Sequence, residues 1–479
     1  MALKIFLLFI YSLITVVLFA TFDADFEVWS SFFVSAIILT IITLYHLFIE
    51  QEYSPFVSCF IVFTYLFFLV APIVQINSFV GNNPEFMTML PYKPWAAVRA
   101  NIFVCAFNIL FFISYVWLKR VRFLREIPIQ TDRYKKALPL TIVALGVLGI
   151  LVFVISFSFV QDELSRPSWR VSTFGTSVLL IWKKVFFLVP FGGILLCVEY
   201  MKRPKKKIVN FLTVLLMLCF FTILLFWFKN PLVEKRNALG PIYICLLFLL
   251  IPRLLNRNVK TLFFMFFSMI ILFPLTAILT HSDASFKEIL NRPSILLEQM
   301  KGGGVASAFN TLNYDAFANI MATIDYVAYN GYSQGYQLLS AFLFFVPRSI
   351  WEAKPISTGQ LVGEHLIDVH GYNFSNLSNP LVSEGYINFG FFGILLAALG
   401  LAFVSVRLLA WLKSEDYLKK IMALYFAIHL IFLLRGDFTN GFSYYIGTLV
   451  GVIVIPKIIS YFINQFMINQ RRWKQPKTV

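Results

Sequence analysis

Long apolar runs, more than any motif, limit what this chain can fold into. A stretch of about 18 or more apolar residues is long enough to cross the hydrocarbon core of a membrane as a helix. Roughly twelve such stretches follow one another, at residues 3–21, 29–49, 54–75, 94–118, 138–160, 177–198, 209–228, 238–255, 261–280, 385–412, 417–434 and 442–463. The eighth is the weakest, short and holding Pro241 and Pro252. No soluble core absorbs this much apolar material. Of 479 residues, 59% are hydrophobic, 55 are Phe and 13% are charged, against about 25% charged in an ordinary soluble domain. The expected fold class is an all-α integral membrane protein with about 12 transmembrane helices, because within lipid only a helix or a closed barrel satisfies its own backbone.

A net charge of +16 suits a nucleic-acid binder until its position is considered. Cations cluster after the even-numbered runs, from Lys119 to Lys136, Lys202 to Lys207, Arg253 to Lys260 and Lys413 to Lys420, and at Arg471 and Arg472. On that side roughly 25 Lys and Arg stand against about 7 acids, and on the other roughly 15 against about 17, the asymmetry expected of cytoplasmic loops. Both termini are then expected in the cytoplasm, and the charge reflects topology and affinity for anionic membrane lipid, not nucleic acid. The first run has a thin positive start at Lys4; a cleaved signal peptide is the rival reading and leaves the other helices unchanged. All five cysteines fall inside predicted helices, where they read as small buried hydrophobes.

The chain divides into 1–280, nine helices with short loops; 281–384, one large external loop; and 385–479, three helices and a basic tail. The loop is the place where chemistry would concentrate. Within it, residues 305–329 read as a helix with Asp315, Asn319 and Ala322 on one side. Residues 338–346 are apolar but too short to span, and suit a re-entrant or interfacial segment that holds Arg348, Trp351 and Lys354 near the surface. Residues 373–388 are rich in Asn, Ser and Gly with aromatics between, a composition suited to sugars.

Charges near membrane-spanning segments are costly and point to function. On the external side these are Arg166 and Arg170, Lys183 and Lys184, Lys235 and Arg236, Arg348 with Lys354, and Arg435. Arginine pairs bidentately with phosphate oxygens, and cations converging at the membrane surface are what a lipid diphosphate needs. Plainer readings stand beside this: Lys183 and Lys184 can mark a later helix start, and Arg435 can simply pair with Asp437. An attacking sugar hydroxyl needs a carboxylate or imidazole to take its proton. The external candidates are Asp315, Asp325, Glu352, Glu364, Asp368 and Glu384, with His365 and His370. Glu384 opens the tenth helix, where the helix dipole also favours an acid, and Asp315 also fits a solvated polar face. The sequence of the large loop shows no clustered metal ligands, so neither a metal nor a cofactor is expected.

Several short motifs resemble those of O-antigen polymerases of the Wzy type. They are Asn230-Pro231 with Lys235, Arg236 and Gly240; Phe345-Val346-Pro347-Arg348-Ser349-Ile350-Trp351-Glu352-Ala353-Lys354-Pro355; Ser383-Glu384-Gly385-Tyr386-Ile387-Asn388-Phe389-Gly390 with Gly393; and Arg435-Gly436-Asp437 with Asn440-Gly441. The resemblance implies a metal-independent, GT-C-like fold in the bacterial inner membrane, with its active site facing the periplasm. It implies transfer of a growing glycan from undecaprenyl diphosphate onto a new lipid-linked repeat unit, with or without a chain-length regulator protein. It places arginines on the diphosphate, matching Arg236 and Arg348 here. Arg435, Lys354, Arg166 and Arg170 join them as candidates from the residue reading, with Glu384 or Asp315 as general base. Three rivals remain at this level. A lipid-oligosaccharide flippase would put more charge at the helix centres. A metal-dependent glycosyltransferase would have to use Asp23 and Asp25 in a very short loop. An O-antigen ligase shares the chemistry with a different acceptor.

Overall fold

The computed structural model describes residues 1–80, 92–125, 137–165, 181–204, 207–231, 234, 236–272 and 309–474, apart from the side chains of 80, 125, 163–165, 236, 312 and 471–474. Helix accounts for 81% of the structure, and the described residues contain no strand. Among the described residues, ten helices are long and apolar enough to cross a membrane: α1 (Ala2–Ala20), α2 (Phe26–Ile49), α3 (Pro55–Phe79), α4 (Pro94–Leu118), α5 (Leu138–Asp162), α6 (Ile181–Met201), α7 (Ile208–Phe228) and, beyond the loop, α13 (Leu381–Trp411), α14 (Tyr417–Arg435) and α15 (Phe438–Gln470). Large apolar side chains such as Phe9, Ile155 and Leu216 point outward from α1, α5 and α7, where lipid replaces water as solvent. This is a multi-pass membrane protein.

Two of the twelve expected spans are shorter here. The eighth is α8 (Arg236–Leu250), fifteen residues with Pro241 inside it, a rise of only about 22 Å. The ninth is α9 (Asn258–Leu272); residues 273–280 of that prediction lie outside the described residues. Most of the large loop's first third lies outside them too.

Burial sorts the helices. α3 is 94% buried and forms the centre, while α1 is 11% buried and lies at the edge. α3 packs against α9 and α14, and α4 against α13. Phe fills the contacts between helices: Phe60 stacks on Phe111 at 4.1 Å and Phe187 on Phe228 at 4.4 Å between ring centroids. Such pairs add to simple area burial. At the cation-rich end of α2 to α4, Glu50 accepts from Tyr115 and Lys119, each at 2.7 Å, and lies 2.5 Å from His46. His46 in turn contacts Ser58 at 2.8 Å.

Among the described residues of the loop there are three helices: α10 (Ala316–Asn330), α11 (Tyr336–Phe342) and α12 (Thr358–His370). α10 starts later than the sequence suggested. A 3-10 turn at Leu312–Tyr314 precedes it, capped by the Thr311 hydroxyl, and residues 301–308 are outside the described set. The apolar segment expected to be re-entrant or interfacial contributes the seven-residue α11.

α13 is broken. Phe389 and Gly390 leave helical geometry, Gly390 at φ +63° and ψ −147°, a region open essentially to glycine. At the break Gly385 and Gly393 meet backbone to backbone: a Cβ on Gly393 would lie 2.0 Å from the Gly385 carbonyl oxygen. The Ile387 carbonyl accepts from the Ser333 amide at 2.9 Å and the Ser333 hydroxyl at 3.1 Å. The motif from Ser383 to Gly393 thus has a structural reason of its own, since irregular backbone at membrane depth is tolerated only when buried in protein.

Candidate functional site

Asp315 is fixed from two sides. The Gln75 amide, buried in α3, donates to the Phe309 and Tyr314 carbonyls at 2.9 and 3.1 Å. The Tyr314 hydroxyl donates to Met269 at 2.7 Å. These bonds pin the start of α10 to the bundle and leave the Asp315 carboxylate buried. Arg435, at the end of α14, donates to it through Nη2 at 3.3 Å. Burial raises the Asp315 pKa, and Arg435 and Asn319 only partly offset that. Arg435 thus holds Asp315, a partner 120 positions away that the sequence reading did not pair with it.

Arg435 lines a cavity of about 250 Å³ among the ends of α6, α14 and α15 and the loop segments at 357 and 376–378. Lys184 reaches it from α6. Its Nζ donates to Asn440 Oδ1 at 2.7 Å and to the Ser443 hydroxyl, and lies 4.2 Å from the Tyr444 ring centroid. The backbone turns irregularly at Val185 and Phe186–Leu188 before regular helix resumes at Val189. Lys184 therefore lies in the first turn of its span, just before this irregularity, and is only 3% exposed. His429, in the middle of α14, also lines the cavity, and neither ring nitrogen has a hydrogen-bond partner among the described residues. A buried polar group in that state is uncommon and calls for an explanation.

Asp437 is the carboxylate that lines the cavity. Burial raises its pKa, although Ser357, Glu384, Thr358 and the Gly359 amide all hydrogen-bond to it. Glu384 stands behind it. The Glu384 carboxylate accepts from the Phe438 amide at 2.8 Å and from the Thr358 hydroxyl, which also lies 3.3 Å from Asp437. The two buried carboxyl groups thus share the Thr358 hydroxyl.

Of the residues named from sequence, the structure brings Arg435 and Asp315 into contact and sets Glu384 one layer behind the cavity. Arg348 and Lys354 do something else. Lys354 gives its amine to the Leu343, Phe344 and Val346 carbonyls at 2.9–3.1 Å, capping the end of α11. Burial and the nearby Arg348 lower its pKa. Arg348 donates to the Lys354 and Pro355 carbonyls, and Trp351 packs edge-on to Tyr336 at 5.9 Å. Neither cation lines the cavity; the proline–arginine–tryptophan–lysine–proline motif clasps its own loop. Arg236 opens α8 beside Asn237, a lining residue, and its side chain is outside those described. Arg166 and Arg170 also lie outside the described residues.

Two site residues were missed as such. The sequence points to Lys184 only as one of several external cations and does not point to His429, though a histidine inside an apolar span is itself a signal. The loop also assembles a group the sequence did not show: Asp325, His365 and His370 bring one ligand atom each within 4.8 Å of one another. No protein-family model, curated protein or solved structure matches this chain.

Proposed function

We propose that this chain is a membrane glycosyltransferase that polymerises lipid-diphosphate-linked oligosaccharide repeat units at the non-cytoplasmic face of the bacterial inner membrane, without a catalytic metal. The observation that supports it is the convergence of Arg435 and Lys184, from separate spans, on one polar cavity that also holds Asp437. The short motifs shared with O-antigen polymerases agree with it. A cavity of about 250 Å³ suits one headgroup, and ligand pockets of about 300 Å³ upward take larger molecules whole.

In this reading the acceptor hydroxyl attacks the anomeric carbon of the donor glycan. The bond from that carbon to the lipid diphosphate breaks, and the diphosphate departs with the electron pair. Arg435 and Lys184 stabilise the charge that develops on it, and Asp437 takes the hydroxyl proton, its raised pKa favouring that role. Glu384 and Thr358 orient Asp437. Arg348 and Lys354 shape the loop and are positioning residues.

The test is chain elongation by purified protein and the polysaccharide ladder of a strain carrying each variant. Lys184→Met and Asp437→Asn should each slow elongation by about 10²–10³, the loss typical of a group that stabilises the transition state. A ladder reduced to a single repeat unit supports polymerisation. Loss of every repeat unit would instead favour a ligase or flippase.

A further inference from the structure

We propose that Asp325, His365 and His370 form a binding site for one first-row divalent transition metal ion, of the zinc class, that fastens α12 to α10. The argument rests on this cluster alone and not on the proposed reaction. His365 Nε2 lies 3.1 Å and His370 Nε2 2.7 Å from the same carboxylate oxygen, Asp325 Oδ2. Ligands arranged tetrahedrally at about 2.1 Å from zinc stand about 3.4 Å apart, so each imidazole need draw back from the shared oxygen by only roughly 0.3–0.7 Å to admit an ion, and all three ligand atoms already lie within 4.8 Å of one another. Two imidazoles and one carboxylate, with the remaining position open to water, form a common donor set for zinc.

The surroundings suit a held ligand set. The His365 side chain is 6% exposed, packed between the rings of Tyr326 and Tyr329 at 5.4 and 5.3 Å. Its other ring nitrogen lies 3.4 Å from the Asn330 amide, the kind of outer contact that fixes the orientation of a ligating imidazole. Asp325 and His370 are 16% and 21% exposed, which gives an ion a way in and leaves its open position toward solvent. Five residues along one helix would set His365 and His370 about 140° apart. Both side chains nevertheless reach Asp325 Oδ2, His370 from the last residue of α12.

The site lies apart from the cavity. Asp325 is ten residues along α10 from Asp315, roughly 15 Å of helix rise, and none of the three ligands lines the cavity. The same α12 carries Thr358 at its other end, bonded to Glu384. A metal at its C-terminus would therefore order the helix whose N-terminus supports the carboxylate pair.

The test uses the full chain in detergent, stripped of metal by a chelator and titrated with Zn²⁺ against a chromophoric competitor, and with Co²⁺ for its visible absorption. One equivalent of each ion should bind, with a cobalt spectrum of low coordination number, and Zn²⁺ should raise the thermal midpoint. His365→Ala, His370→Ala and Asp325→Asn should each weaken binding by more than about 100-fold, beyond the roughly 10–100-fold cost of losing an outer-shell partner. The metal-free melting transition of each variant separates lost binding from lost folding, and Asp325→Asn, which keeps shape, guards against the latter. Absence of stoichiometric binding in the parent, or parent-like binding by folded His365→Ala and His370→Ala, overturns the proposal and leaves a hydrogen-bonded clasp.

Discussion

Arg435 has two jobs in this account, and a double-mutant cycle with Asp315 separates them. Asp315 is 2% exposed, and Arg435 Nη2 sits 3.3 Å from its carboxylate. Replacing Arg435 with Met removes the cation and leaves a buried aspartate, which costs about 3–5 kcal/mol of stability. Replacing Asp315 with Asn as well removes the charge that was stranded and keeps a polar group that Asn319 can meet. The pair should therefore show a coupling of about 2–3 kcal/mol, so that Arg435→Met/Asp315→Asn is more stable than Arg435→Met alone. Thermal unfolding in detergent reads this half of the cycle.

Elongation reads the other half. If Arg435 also stabilises the departing diphosphate, the double variant regains stability but stays about 10²–10³ slower than the parent. Arg435→Lys should help little, because an ammonium cannot reproduce the guanidinium fork. If instead the double variant elongates chains at near the parental rate, Arg435 only neutralises Asp315, and the anion-binding role passes to Lys184. Absence of coupling in the stability data would refute the geometry itself.

Other expectations follow from the same residues. Because burial raises the folded-state pKa of Asp315, its contribution to stability is fully present below the ordinary aspartate range and is lost as pH rises through the folded value; the difference in melting between parent and Asp315→Asn should follow that slope. Glu50→Ala takes from His46 and Tyr115 the carboxylate they share but leaves Lys119 paired with Glu52, and should destabilise the protein by about 1–3 kcal/mol in thermal unfolding. Gly393→Ala places a methyl group 2.0 Å from the Gly385 carbonyl oxygen and should cost about 1–3 kcal/mol or more, whereas Gly400→Ala, with open space around it, should be near neutral. For topology, Ile350→Cys, at an exposed loop position, should react with an impermeant thiol reagent from outside intact spheroplasts, and Lys413→Cys should react only after permeabilisation; the reverse pattern would invert the orientation.

The helices were legible because lipid imposes one rule on every span: about 18 apolar residues with their backbone bonds closed internally. That rule found ten long helices and was weakest at α8, where Pro241 had already marked the difficulty. It says nothing about a break inside a span, so α13 read as one continuous helix although Gly385, Gly390 and Gly393 encode its interruption. The motif containing Arg348 and Lys354 stood out for its charge and rigidity. Those features are equally what a loop needs to satisfy the carbonyls at the end of a seven-residue helix, and sequence cannot separate the two uses. Residues that meet across long separations were the hardest to read. Asp325 and the two histidines are 40 and 45 positions apart, with no local spacing to betray them. Lys184 and Asn440 are 256 apart.

Position, rather than residue type, now orders the candidates. Two uses of charge separate these candidates: hydrogen bonds spent on backbone, and convergence on a space. Lys354, with three carbonyl partners, belongs to the first kind. Arg435, Lys184 and Asp437 belong to the second, since all three line the same cavity. A buried carboxylate cluster is costly unless hydrogen bonds compensate it, and here the Thr358 hydroxyl and the Phe438 amide do so for Glu384. The helices that supply those partners, α12 and α15, come from the loop and from the last span. The loop is therefore part of the cavity's framework rather than a cover over it. A change that loosens α12 should reach Asp437 through Thr358, even when it lies at the far end of that helix beside His370.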